Sequence, residues 1–145
     1  MKKAFSLEKL LGDVHKCYRA AGRADVHKIH TGVTIIEDYK DGTVYARKVK
    51  SVWVDYVGLM RGGRAVAIEA KQTADPKWKW SELKPHQRAR LESYGKLGGV
   101  AFVYLWYLGT QYIIPWDRVG RGRFRPEAFA DCVKPAGKSW ADLFE

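Results

Sequence analysis

Residues 52–73 read VWVDYVGLMRGGRAVAIEAKQT, and the fold follows from how this stretch alternates. Val52, Val54 and Tyr56 alternate with Trp53, Asp55 and Val57, Arg61-Gly62-Gly63 interrupts, and Val66, Ile68 and Ala70 then alternate with Ala67, Glu69 and Lys71. A period of two on both sides of a glycine break predicts a β-hairpin. Successive strand side chains point to opposite faces, so Glu69 and Lys71 share one. With a three-residue turn at Arg61–Gly63, Met60 pairs with Arg64 and Asp55 falls opposite Glu69, their Cβ atoms about 5 Å apart. A two-residue turn would instead set Asp55 against Ala70 and scatter the group over both faces. Two carboxylates this close repel unless something neutralises them, and a hard divalent cation held between oxygens does so. An exposed hairpin carrying ordinary surface charge is the plainer reading of the same pattern.

The rest of the chain bounds the partners. Its 145 residues suit one domain with a real core, and we expect a single domain over 1–145. Most of that core is expected at about residues 5–117, followed by a basic Gly/Arg-rich segment at 118–145. A net charge of +10, a pI near 9.7 and 13% aromatic residues suit a folded protein that binds a polyanion. Cys17 and Cys132 lack metal-ligand spacing, which points to free thiols and a cytoplasmic setting rather than a disulfide framework. The longest apolar run, near Val100 to Leu108, is too short to span a bilayer, so no membrane partner is expected.

Outward from the hairpin, Ser6 is placed to cap a helix running to about Ala21, with Leu7, Leu10, Leu11, Val14 and Cys17 as its apolar stripe. Glu8 falls in its first turn, where the helix dipole alone accounts for a carboxylate. Val26 to Glu37 reads as a strand, Lys40-Asp41-Gly42 as a turn and Thr43 to Lys50 as the returning strand. This arm is basic, with Lys40, Arg47, Lys48 and Lys50, and is preceded by a surface cluster of His27, Lys28 and His30. After the central hairpin, Lys77-Trp78-Lys79-Trp80 interleaves cations with indoles, a pattern able to hold phosphate and to lay a ring on a sugar or base. Trp80 suits the core, and Trp78 is the candidate contact. Pro85 opens a helix through about Lys96, with Leu83, Gln87, Leu91 and Tyr94 on one stripe, and Val100 to Leu108 reads as a buried strand. Arg118, Arg121, Arg123 and Arg125 among glycines form a further candidate phosphate-contact segment.

VDYVG at 54–58, AIEAKQT at 67–73, HQ at 86–87, GGVAFV at 98–103 and YIIP at 112–115 stand in the order of similar segments in RecU-type Holliday junction resolvases. The chain resembles that branch of the PD-(D/E)XK nucleases, with Asp55, Glu69 and Lys71 as the motif residues. One departure is Val54, where such sequences usually carry a hydroxyl residue. The resemblance implies an α/β restriction-endonuclease-like core, a mixed central sheet flanked by helices, with a projecting basic hairpin suited to the centre of a four-way junction. It implies Mg²⁺, with Mn²⁺ able to substitute, held by Asp55, Glu69 and the carbonyl of Ala70, with Glu8 as an additional carboxylate. Lys71 and Gln87 would act beside the metal, Lys28 and His86 would join the DNA-contacting cations, and the enzyme would be a homodimer that nicks junction strands symmetrically. A nickase or double-strand nuclease on the same core, and a non-catalytic branched-DNA-binding protein, are the rival readings.

Overall fold

The computed structural model describes residues 5–145. Helix α1 (Leu7–Ala20) starts at Ser6, whose hydroxyl accepts from the Lys9 N–H at 3.2 Å. It leads into β1 (Ala24–Lys28), then the hairpin β2 (Val33–Asp38) and β3 (Val44–Lys48), then β4 (Tyr56–Met60) and β5 (Ala65–Thr73). Helix α2 (Pro85–Lys96), β6 (Val100–Tyr107) and β7 (Thr110–Pro115) follow. One sheet runs β1-β4-β5-β6-β7, with β5 and β6 parallel and the other neighbours antiparallel; β2 and β3 form a separate two-stranded sheet. The architecture is therefore a mixed central sheet with a helix on each face and a projecting hairpin, as expected.

The residues of β5 explain the layering. Val66 and Ile68 face α1 in one core with Leu11, Phe102 and Trp140, while Ala67 faces α2 in a second with Leu91, Val103, Trp80 and Phe124. A strand buried on both faces reads as a near-continuous apolar run, and Glu69, 1% exposed, is the exception within it. Gly58 lets β4 approach β1, since a Cβ there would lie 2.0 Å from the Asp25 carbonyl oxygen.

Four expectations change. The strand read over Val26 to Glu37 is two strands, because β1 pairs with β4 only as far as Lys28 and the chain then leaves the sheet. Residues 52–55 precede β4 rather than belonging to it. Cys17 is exposed, and the inner stripe of α1 is completed by His15 and Tyr18. The core does not stop near residue 117: Phe124, Phe129, Cys132 and Trp140 are all buried. Aromatic anchors at irregular spacing carry no period to read.

Candidate active site

The turn between β4 and β5 fixes the register of the site. Gly62 and Gly63 adopt φ of 91° and 86°, a region L-residues avoid, and the Met60 N–H donates to the Arg64 carbonyl at 2.8 Å. Leu59 then pairs with Ala65 and Tyr56 with Ile68. Continued by one step, that ladder brings Asp55 opposite Glu69, the arrangement expected from a three-residue turn. Backbone pairing gives way here to side chains. The Asp55 N–H donates to Glu69 Oε2 at 3.2 Å, and the Ala70 N–H donates to Asp55 Oδ2 at 3.0 Å. Each carboxylate thus caps the backbone beside the other, and the sheet ends in a pair of acidic groups.

Glu69 is held from α2. Gln87 Nε2 donates to Glu69 Oε1 at 2.7 Å, while Gln87 Oε1 accepts from the Lys84 N–H at 2.8 Å. Gln87 therefore both caps the start of α2 and holds Glu69. Lys71 Nζ lies 3.6 Å from Glu69 Oε1 on the same face. Burial, followed by the nearby Asp55 carboxylate, pushes the Glu69 carboxyl up to about 8, and Lys71 only partly offsets this. The site is short of positive charge.

Glu8 approaches the Asp55 side of the site from α1. It shares a depression of about 340 Å³ with Lys28, Asp55, Tyr56, Ala70 and Gln72, and its carboxylate pairs with Lys28. Among the described residues no three His, Cys, Asp or Glu side chains converge as a metal cluster. Strand alternation explains this, since α1 packs on the even-numbered face of β5 whereas Glu69 points to α2. Asp55 and Glu69 are thus the register-opposed pair, while Glu8 lines the depression that Asp55 and Ala70 also line and is paired there with Lys28. All three donors from Asp55, Glu69 and the Ala70 carbonyl are oxygens, the ligand set hard cations such as Mg²⁺ take.

The candidate DNA contacts divide. Slight burial and then the charges of Lys84, Lys50 and Lys71 hold the His86 imidazole below its usual value, so these three lysines form one cationic approach around His86. Lys84 was not singled out in the sequence, and its place before Pro85 in Lys-Pro-His-Gln was the available signal. Lys40, Arg47, Lys48, Lys77, Lys79 and Arg121 are exposed. Trp78 is not available for stacking, being 5% exposed and edge-on to Trp80 at 5.1 Å. Arg118 forms an ion pair with Asp131 at 2.6 Å within the C-terminal segment, and Arg123 donates to the Pro76 carbonyl at 2.9 Å, which ties that segment to the loop after β5. No helix among the described residues is long and apolar enough to cross a membrane.

Comparison with known proteins follows the same lines. The family model described as Recombination protein U matches residues 2–121. A Holliday junction resolvase RecU of Bacillus pumilus is 29% identical over 129 residues, covering 80% of this chain and 62% of that protein. A Holliday junction resolvase RecU of Oenococcus oeni is 26% identical over 136 residues, covering 83% of this chain and 68% of that protein. The chain thus spans under two thirds of the length of the first relative. Among solved structures, Hjc of Archaeoglobus fulgidus, described as a Holliday junction resolvase, superposes with a TM-score of 0.51 at 14% identity, covering 85% of this chain and 91% of that one. That likeness fixes the fold as restriction-endonuclease-like.

Proposed function

Since the chain belongs to the Recombination protein U family, we propose that it is a structure-selective endonuclease that resolves Holliday junctions by symmetric, metal-dependent nicking of DNA. The observation that carries this reading is the register-opposed pair Asp55 and Glu69 at the end of a buried strand, with Lys71 3.6 Å from Glu69 and Gln87 bonded to it. Both relatives are named as Holliday junction resolvases, in line with the reading.

Asp55, Glu69 and the Ala70 carbonyl would hold Mg²⁺, or Mn²⁺ in its place. When bound, such an ion lowers the pKa of water and neutralises charge on the phosphate. The protein's own part is positional. Gln87 fixes one Glu69 oxygen, so that the carboxylate presents a set geometry towards Asp55. Lys71, on the Glu69 face, orients the attacking water and stabilises the charge gathering on the phosphorus oxygens. Water adds to phosphorus as one P–O ester bond breaks, and the leaving oxygen takes up a proton. Lys50, Lys84 and His86 steer the strand by its phosphates. One such site per chain, set against the two cuts that resolution needs, implies a two-fold pair of chains acting on DNA in the cytoplasm.

Incubation with four-way, forked and linear DNA, with Mg²⁺ and with chelator, tests the proposal. Paired nicks confined to the four-way substrate and to the Mg²⁺ arm are expected. Equal cutting of linear duplex would make the protein a general nuclease on the same core, and binding without cutting would make it architectural.

A further inference from the structure

Of the tryptophans, Trp78, Trp80 and Trp140 are at most 5% exposed, whereas Trp53 is 38% exposed. An exposed indole is ordinarily a mobile one, and ordering it costs entropy. Here the cost is already met. Arg90, on α2, donates from Nε to the Val52 carbonyl at 3.0 Å and lays its guanidinium over the Trp53 ring at 4.3 Å. The ring is therefore held in place without being packed into either core. It stands two residues before Asp55, which limits their Cα separation to about 7 Å. Lys50 lies three residues before it and belongs to the cationic approach around His86.

A fixed, exposed aromatic ring backed by a cation, beside a carboxylate pair and in a phosphate-attracting setting, is what a single unstacked nucleobase binds. We propose that Trp53, braced by Arg90, is a stacking platform for the base next to the scissile phosphate at the branch point. The inference rests on the junction-resolving reading and assigns part of its selectivity. In an intact duplex every base face is occupied by its neighbours, and reaching one costs unstacking energy. At the crossing of four arms the stack is already broken. The ring therefore gains contact on branched DNA that linear DNA does not offer, and selectivity arises at the reacting end of the site as well as on the projecting hairpin.

The test measures binding in chelator, at matched ionic strength, to a four-way junction and to linear duplex of equal length. Trp53→Ala should lower junction affinity by about ten-fold, within the range seen when base stacking is removed, and leave duplex affinity unchanged. Trp53→Phe, which keeps a ring and guards against a folding defect in the alanine variant, should recover most of the difference. A 2-aminopurine at the branch nucleotide should be quenched by the wild type and less so by Trp53→Ala. Wild-type junction preference in Trp53→Ala, or equal losses on both DNAs, overturns the platform while leaving the resolvase reading intact. A wild-type protein with no junction preference overturns both.

Discussion

The chain contains two hairpins that obey the same backbone rule in opposite surroundings. In β4–β5, Val66 to Glu69 are buried between two helical layers. In β2–β3 every residue is exposed apart from the half-buried Ala46, although Val33, Ile35 and Val44 follow a strand pattern. Their carboxylates diverge accordingly. Asp41, at the tip of the outer hairpin, is held below its usual value by hydrogen bonds from the Thr43 hydroxyl and N–H. Glu69 is driven the other way by burial and by Asp55. Burial converts an acidic residue into a group that seeks a cation, whereas exposure leaves it a turn-forming residue. On the proposed function, chemistry belongs to the inner hairpin, and the outer one, a two-stranded element too small to be stable alone, is left for recognition.

The largest test of that division is loss of catalysis. Asp55→Asn and Glu69→Gln should each lower cleavage by about 10³-fold or more, since the metal-held charge on the phosphate is lost. Junction affinity in chelator should hold or rise, because repulsion towards phosphate is relieved. Lys71→Ala should cost about 10²-fold with smaller loss of metal affinity. Asp41→Asn on the outer hairpin should change turnover less than about two-fold, as expected for a surface site. Single-turnover cleavage beside gel-shift binding measures all four, and a comparable loss from Asp41→Asn would break the comparison.

A smaller effect concerns pH. The Glu69 carboxyl titrates near 4.5 when unfolded and at about 8 in the metal-free fold, so over that interval the folded protein holds a proton the unfolded chain has released. Its contribution to stability is thus complete below the lower value and is lost as pH rises through the upper one. In chelator, the melting temperature should fall by several degrees between pH 6 and pH 9 relative to Glu69→Gln, which lacks the titrating group. Mg²⁺ should release protons on binding near neutral pH and flatten the dependence, because a metal requires the ionised carboxylate. Parallel curves for wild type and Glu69→Gln would mean that the burial of Glu69 has no energetic consequence.

What could be read from the sequence depended on periodicity. The turn length fixed the facing of Asp55 and Glu69 because a one-residue slip would flip the face, so the buried pattern specified one register. The helices and the β6 strand were legible from stripes and apolar runs for the same reason. Trp78 was misplaced because a Pro-broken loop has no period, and nothing local distinguishes a ring turned inward from one turned out. Trp53 hid within an apparent strand, and its brace, Arg90, lies 37 positions later on another element. The Glu8 and Lys28 pairing likewise depends on which side of the sheet α1 packs, a tertiary choice that helix amphipathicity leaves open.

The smallest expected effect addresses the outer hairpin directly. Net charge attracts any duplex, so +10 by itself gives salt-sensitive binding without preference for branches. Preference needs contacts that exist only where arms diverge, and β2–β3 projects from the sheet carrying Lys40, Arg47 and Lys48 on exposed positions. Shortening the hairpin around Asp41-Gly42 with its turn preserved, together with Arg47→Ala and Lys48→Ala, should weaken four-way junction binding about ten-fold, roughly what a few lost phosphate contacts cost. Linear-duplex binding at matched ionic strength should fall less. The melting temperature and Mg²⁺ affinity should stay at wild-type values, because β2 and β3 form no ladder with the five-stranded sheet. Equal losses on both substrates would reduce the arm to general charge, and branch selectivity would then rest on the geometry of the paired chains and on Trp53 at the inner hairpin.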